Sequence, residues 1–499
     1  MNETISAKLN EIVATNNFSL VTPHLIVSIG AILLMLVSTI KHNGFRNNAI
    51  LAEIILGLAF LTSWPKTASA PIVKAFNGMV LLDFFSSISI LLALLTGILV
   101  VLISHNYLKK RSNHLPEYYA LLLFAISGIM FMASAADLII VYLGIETLSV
   151  ALYVMIAIDT KDARSTEAGI KYFLMSVFAS AFLLFGIAFI YGATGSTSFE
   201  QIRLFTSLHG FHSSYFLYAG TLLILAGMAF KISAAPFHLW TPDVYQGAPL
   251  PVTAFLSTAP KIASFIFLFR LFYQFQNAMP YPELLRDIVM ALAVISMIVG
   301  NLLALNQNDI KRMLAFSSIT HMGYVLTAFA TFSTEAISSA MFYFVAYIFM
   351  NLGVFALLST ISGDNDNNLT VENFKGMAAK KPLTAFLLLL FLFSLAGIPP
   401  MIGFAAKFFI FSAVIHSKMY LLAIIGILNS AVSAYYYLRI IVNMYLKTQD
   451  DVAGETSINF KEIHFGIPEI TVISACIGMV LAVGIQPAFL IQWLSRITI

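Results

Sequence analysis

The chain has 499 residues, of which 59% are hydrophobic and only 10% charged, and its mean hydropathy is +0.89. A soluble domain carries about 25% charged residues, so a water-facing surface cannot be built from this composition and most of the surface must meet lipid. The net charge of +3 is scattered and offers nothing to a nucleic-acid partner, and the single cysteine, Cys476, excludes an intrachain disulfide and any cysteine-rich metal or cluster site.

The first residues are polar, with Glu3, Lys8, Glu11 and Asn16. The apolar run that begins near Leu20 is too long for the core of a cleaved signal, so it reads as a retained first span. Runs long enough to cross a bilayer as helices then recur to give about fourteen. They cover 20–40, 48–64, 79–104, 118–134, 136–158, 168–192, 213–239, 249–274, 283–304, 311–330, 334–361, 382–414, 418–446 and 466–494. A β-barrel would instead show alternating segments of about ten residues. The expected class is therefore an all-α polytopic membrane protein.

Basic residues follow the odd-numbered spans: Lys41 and Arg46, Lys109 to Arg111, Lys161 and Arg164, Lys311 and Arg312, Lys375 with Lys380 and Lys381, then Lys447 and Lys461. The even connections are poorer, with Lys66 and Lys74, Arg203, Arg286 and Lys418. By the positive-inside rule the odd connections face the cytoplasm and both termini face the periplasm of a bacterial inner membrane.

Spans four to eight and nine to thirteen form two units of five helices. An odd number makes the second unit start on the opposite side, which is an inverted repeat. The expected organisation is a three-helix segment 1–117, a first unit 118–274, a second unit 283–446 and a C-terminal helix in 447–499. The fourth helix of each unit carries a proline break, at Pro236 in span seven and Pro399-Pro400 in span twelve.

Five ionisable residues sit near mid-span: Glu146, Lys231, Lys261, His321 and Lys407. A charged side chain there costs roughly 2.5–3.5 kcal/mol to insert, so each calls for a reason. Glu146, in DLIIVYLGIETLSVALYVMIA, reads either as a structural ion-pair partner or as part of a proton path. Lys231 lies five residues before Pro236, Lys261 follows a proline in TAPKIASFIF, and Lys407 follows the double proline. Removing an ammonium from water favours its neutral form, which lets a buried lysine load and unload a proton. His321 lies among Ser317, Ser318 and Thr320, and is either a relay or a hydrogen-bonded core residue. His238 and Asp243 read as shaping an entrance, and Lys171 as an intake residue or an interface anchor. Asp83, Asp137 and Glu53 sit nearer span ends, where solvation is the simplest account.

These groups lie in stretches that resemble a known family. FKISAAPFHLWTPDVYQGAPLPVTAFLSTAPKIA (230–263), LGIETLSVALYVMIA (143–157), DIKRMLAFSSITHMGYVL (309–326) and LAGIPPMIGFAAKFF (395–409) are similar to the antiporter-like subunits of respiratory complex I, over residues 118–446. The resemblance implies inverted units with broken helices seven and twelve, and a proton-translocating subunit of NADH:quinone oxidoreductase. It implies a Glu146–Lys231 pair, a central Lys261, and an ionisable group of span twelve at Lys407. His321 occupies the family's polar position in span ten. Lysine at the span-twelve position resembles the N-type or L-type members, and wording such as YQGAP with a chain that ends without the long lateral helix of the L type resembles the N-type. The implied partners are the antiporter-like M-type subunit, the small K and J type subunits and the bilayer. No cofactor is implied in this chain, since NAD and quinone chemistry belongs to other subunits. The alternative is a subunit of a Na⁺/H⁺ antiporter complex, which uses the same residues.

Overall fold

The computed structural model describes residues 17–40, 45–68, 73–110, 117–211, 214–275, 283–362, 366–446 and 465–497. Lys41, Arg111, Lys447, Lys461 and the polar segment 1–16 lie outside the described residues, as do the side chains of Lys66 and Lys110.

Helices fill the hydrophobic segments in order. They are α1 Thr22–Ile40, α2 Phe45–Ala68, α3 Phe84–Lys110, α4 Tyr118–Ser134, α5 Leu138–Ile156, α6 Ala163–Thr194 and α7 Phe199–His209. Next come α8 Tyr215–Lys231, α9 Trp240–Gly247, α10 Leu250–Ser257, α11 Ala259–Tyr273, α12 Glu283–Leu305, α13 Ile310–Phe329 and α14 Thr334–Ile361. The chain continues through α15 Met377–Lys380, α16 Pro382–Ala396, α17 Ile402–His416, α18 Tyr420–Leu446, α19 Ile467–Ile485 and α20 Ala488–Leu494. Among the described residues, nine helical stretches are long and apolar enough to cross a membrane, and α4, α8, α16 and α17 are shorter apolar helices.

Two elements lie outside the expected set of membrane-crossing helices. A hairpin of β1 (Val73–Ala75) and β2 (Val80–Leu82) precedes α3, with Lys74 opposite Leu81. Its turn is built on Asn77 and Gly78, which adopt φ of 52° and 83°, a conformation these two residues tolerate best. The other is α7, a short surface helix whose Leu204 and Leu208 are exposed.

The helix stops at Lys231 and resumes at Trp240, with Pro236 in the gap, and stops at Ala396 and resumes at Ile402, with Pro399 and Pro400 in the gap. A further break, not expected from the sequence, falls at Thr258 between α10 and α11. Pro260 lies just beyond it, and its missing N–H removes a bond that a continuous helix would need.

The stretch α10–α11 and the long α14 are buried throughout, so they form the centre of the bundle. Outward faces are apolar: on α6, Phe178 and Phe185 are 70% and 62% exposed. Three sequence expectations change here. Lys311, expected among the basic residues of a cytoplasmic connection, is 2% exposed and bonded into the interior. Asp83 is buried and paired with Arg270 at 2.7 Å, joining the start of α3 to the end of α11. Asp137 is buried too, and caps α5 by accepting from Ile139 N while Thr197 donates to its other oxygen. In both cases the protein replaces the water that a span end was expected to supply.

Candidate functional site: a buried lysine and histidine series

Lys231 is the last residue of α8, and close helix contact places it. A Cβ on Gly227, one turn earlier, would sit 2.8 Å from Ala179 O of α6, and one on Gly220 2.8 Å from Gly186 O. With glycine at both positions α8 lies directly against α6. Lys231 Nζ then donates to Ser176 Oγ of α6 at 2.7 Å and to Ser149 Oγ of α5 at 2.6 Å. Tyr153 also donates to Ser176, at 2.9 Å, and the Tyr172 ring lies 5.9 Å from the ammonium.

Glu146 is one turn before Ser149 on α5, half-buried at the edge of the outward face. It forms no ion pair with Lys231, and its Oε1 is buried without a hydrogen-bond partner. The two serines take the ammonium's bonds instead, so Glu146 and Lys231 are left to interact through the field rather than by contact. At low effective dielectric such an interaction still reaches several ångströms.

Lys261 is fully buried in the first turn of α11, three residues past the Thr258 break. Its Nζ donates to Ser318 Oγ of α13 at 2.6 Å. Tyr347 of α14 donates to the same serine at 2.9 Å, and the Tyr245 hydroxyl of α9 lies 3.4 Å from it. The Tyr245 ring faces the ammonium at 5.4 Å. No carboxylate neutralises Lys261 among the described residues.

His321 lies one turn beyond Ser318 on α13. Its Nδ1 is hydrogen-bonded to the Tyr343 hydroxyl and its Nε2 to the Tyr437 hydroxyl at 3.0 Å, and Tyr437 is bonded in turn to Ser317. A neutral imidazole has one donor and one acceptor, so one tyrosine gives and the other receives. This geometry suits both a proton relay and a core histidine.

Lys407 lies on α17, after the second break. Its Nζ donates to Ala396 O at 2.9 Å and Leu395 O at 3.1 Å, the terminal carbonyls of α16. The last carbonyls of a helix lack partners within it and carry the negative end of its dipole. The ammonium therefore finds acceptors without an acid. Gly397, at φ +84°, makes the turn that exposes these carbonyls, and the Tyr324 ring lies 5.4 Å from Nζ. Tyr324 also packs against His321, at 5.8 Å between rings.

A polar cleft of about 290 Å³ opens beside α9, lined by Arg164, Glu167, Lys171, Asp243, Gln246 and Arg312. Asp243 pairs with Lys171 at 2.8 Å and Arg312 at 2.7 Å. Burial works against its charge, but the hydrogen bonds from Lys171 and Arg312 prevail and hold its carboxyl below the usual carboxylate value. His238 lies in the break between α8 and α9, 7% exposed, with Nδ1 unpartnered. Among the described residues no group of three or more His, Cys, Asp or Glu is placed to hold a metal.

Residues 135–433 match the model of the NADH:quinone oxidoreductase/Mrp antiporter transmembrane family, which is more than half of the chain. The chain belongs to this family. It is 40% identical over 489 residues to NADH-quinone oxidoreductase subunit N of Trichlorobacter lovleyi, covering 97% of each chain, and 38% identical to subunit N 1 of Solibacter usitatus, covering 95% and 96%. Its structure is similar to a chain of respiratory complex I from Thermus thermophilus with bound aureothin, with TM-score 0.78, 31% identity, and coverage of 94% and 99%. A chain of the Mrp complex from Dietzia shares the fold at TM-score 0.80 and 20% identity.

Several polar groups of this antiporter-family chain escaped the sequence reading. Ser149, Ser176, Tyr153, Tyr343, Tyr347 and Tyr437 hold the titratable groups, yet each is a common residue in an apolar run. The i, i+4 spacing of Tyr343 and Tyr347, which puts two hydroxyls on one face of α14, is the signal that points to them. Arg270, in the last turn of α11, was a second available signal.

Proposed function

We propose that this chain is the proton-translocating, N-type membrane-arm subunit of a respiratory NADH:quinone oxidoreductase. Protons move along Glu146, Lys231, Lys261, His321 and Lys407, driven by quinone reduction elsewhere in the complex. One observation carries the reading: three buried ammonium groups, each held by hydroxyls or helix-end carbonyls instead of carboxylates. An ion pair would trap the proton. A hydroxyl both accepts and donates, and can pass it on. The tyrosine and serine hydroxyls around Lys261 and His321 extend these groups toward one another. The cleft beside Asp243 is the entrance to the first unit, and the Lys407 side of the second break leads to the exit.

The same reading includes fourteen spans in two inverted five-helix units, 118–274 and 283–446, and both termini on the periplasmic side. Its partners are the M-type antiporter-like subunit and the small K and J type subunits. NAD and quinone bind on other subunits, and this chain carries no cofactor.

The test is Lys261→Ala in the assembled complex, reconstituted into sealed vesicles. NADH oxidation and proton uptake are followed together after subunit content is checked. We expect assembly with a loss of coupled turnover of about tenfold or more. Normal pumping would refute the relay and leave the buried charges as structural. Sodium-dependent turnover would instead favour a Na⁺/H⁺ antiporter subunit.

A further inference from the structure

The proposed relay leaves Lys311 without a role, although a buried ammonium is costly to desolvate and persists only where partners compensate it. Lys311 lies in the first turn of α13. Its Nζ donates at 2.6 Å to Ala248 O, just past the end of α9, and pairs with Asp366 at 3.3 Å. Tyr107 of α3 donates to the same Asp366 oxygen at 2.8 Å and accepts from Leu250 N at 3.3 Å. The neighbours of Lys311 hold the same short helix. Gln246 donates to Asp309 at 2.9 Å, and Arg312 donates to Asp243 at 2.7 Å and to Gln246 Oε1 at 3.0 Å.

One turn of α13 thus grips α9 at residues 243, 246 and 248. Helix α9 needs such a grip, because the backbone is non-helical on both sides of it, at 232–239 and 248–249. Both gripped elements converge on Lys261. Helix α13 carries Ser318 two turns beyond Lys311, about 10 Å along the axis. Helix α9 carries Tyr245, whose hydroxyl lies 3.4 Å from Ser318, at the limit of a hydrogen bond. A slip of a few tenths of an ångström between the two helices therefore changes what Ser318 offers to Lys261.

We propose that Lys311 is a positioning residue for the central relay: it fixes the height of α9 against α13, and so sets the geometry of Tyr245 and Ser318 around Lys261. The proposal rests on the relay reading above. It explains why a lysine stands where an apolar side chain would fill the volume.

The test compares Lys311→Met, Lys311→Arg and Lys261→Ala in the assembled complex in sealed vesicles, scoring NADH oxidation, proton uptake and subunit content. We expect Lys311→Met to assemble and lose coupled turnover by about tenfold, as misplacement by a fraction of an ångström at a positioned group does. Lys311→Arg, whose longer side chain reaches the same carbonyl and carboxylate, restores most of that loss. If Lys311→Met turns over normally while Lys261→Ala collapses, the positioning role is wrong and the relay stands. If Lys261→Ala is also normal, the relay itself is wrong. A Lys311→Met loss that only follows lower subunit content, or that arginine does not restore, also overturns the proposal. Should Lys311→Met fail to assemble, Gln246→Leu loosens the same grip, and normal coupled turnover in that variant overturns it.

Discussion

Gly403→Ala tests whether helix-end carbonyls hold Lys407, and it does so without touching a titratable group. Gly403 opens α17 one turn before Lys407, and its amide donates to Ser394 Oγ of α16 at 3.2 Å. A Cβ added there would lie 1.8 Å from Ser394 O and 2.7 Å from Ser394 C, whereas real Cβ contacts stay above 3.0 Å. The obstacle is backbone, so the two half-helices must separate by about 1.2 Å, since a packed interior does not absorb such an overlap. Lys407 rides on the same helix as Gly403. The same displacement stretches its 2.9 Å bond to Ala396 O to about 4.1 Å, beyond hydrogen-bond range. Two charge-assisted bonds are then weakened, each worth about 1.5–3 kcal/mol. We expect the variant to assemble and to lose coupled proton uptake nearly as fully as Lys407→Ala does. Gly478→Ala, where no atom lies within 4 Å of the added Cβ, is the silent control. The assay is proton uptake per NADH oxidised in sealed vesicles. Wild-type uptake in assembled Gly403→Ala would refute the argument that these carbonyls position the ammonium.

Two further outcomes follow from the ion pairs. Arg270→Met leaves Asp83 buried without its cation and should destabilise the protein by about 3–5 kcal/mol, while the double change Asp83→Leu with Arg270→Met should recover most of that; thermal inactivation of the detergent-solubilised complex measures both, and a single variant as stable as wild type would contradict the pair's importance. Asp243 has a carboxyl pKa held below its unfolded value of about 3.9, so its pairing with Lys171 and Arg312 contributes fully above that pH and is lost as pH falls through the lower folded value. Hydrogen exchange at 240–247, corrected for intrinsic rate, should therefore be unchanged from about pH 7 to 5, and Asp243→Asn should loosen it at neutral pH; a loss of protection already near pH 6 would count against this account.

The helical class was readable from the sequence because the bilayer makes each helix satisfy its own backbone, so the helices are written as apolar runs. The mid-span Lys231, Lys261, His321 and Lys407 were readable for the converse reason: a charge in such a run is costly and stands out. What surrounds them was not readable. In a run apolar on every face, periodicity does not say which side meets which helix, so the choice of Ser318 for Lys261, or of Ser149 and Ser176 over Glu146 for Lys231, appears only when the helices pack. The charged residues near span ends divide the same way. In the sequence Lys311 reads as part of a basic connection and Asp83 as a solvated group near a span end, and only the tertiary structure shows Ala248 O and Asp366 closing on one and Arg270 on the other. The sequence determined where each segment runs and which residues carry charge into it. The packing of the helices decided which partner compensates each charge, because that depends on contacts between segments far apart in the chain.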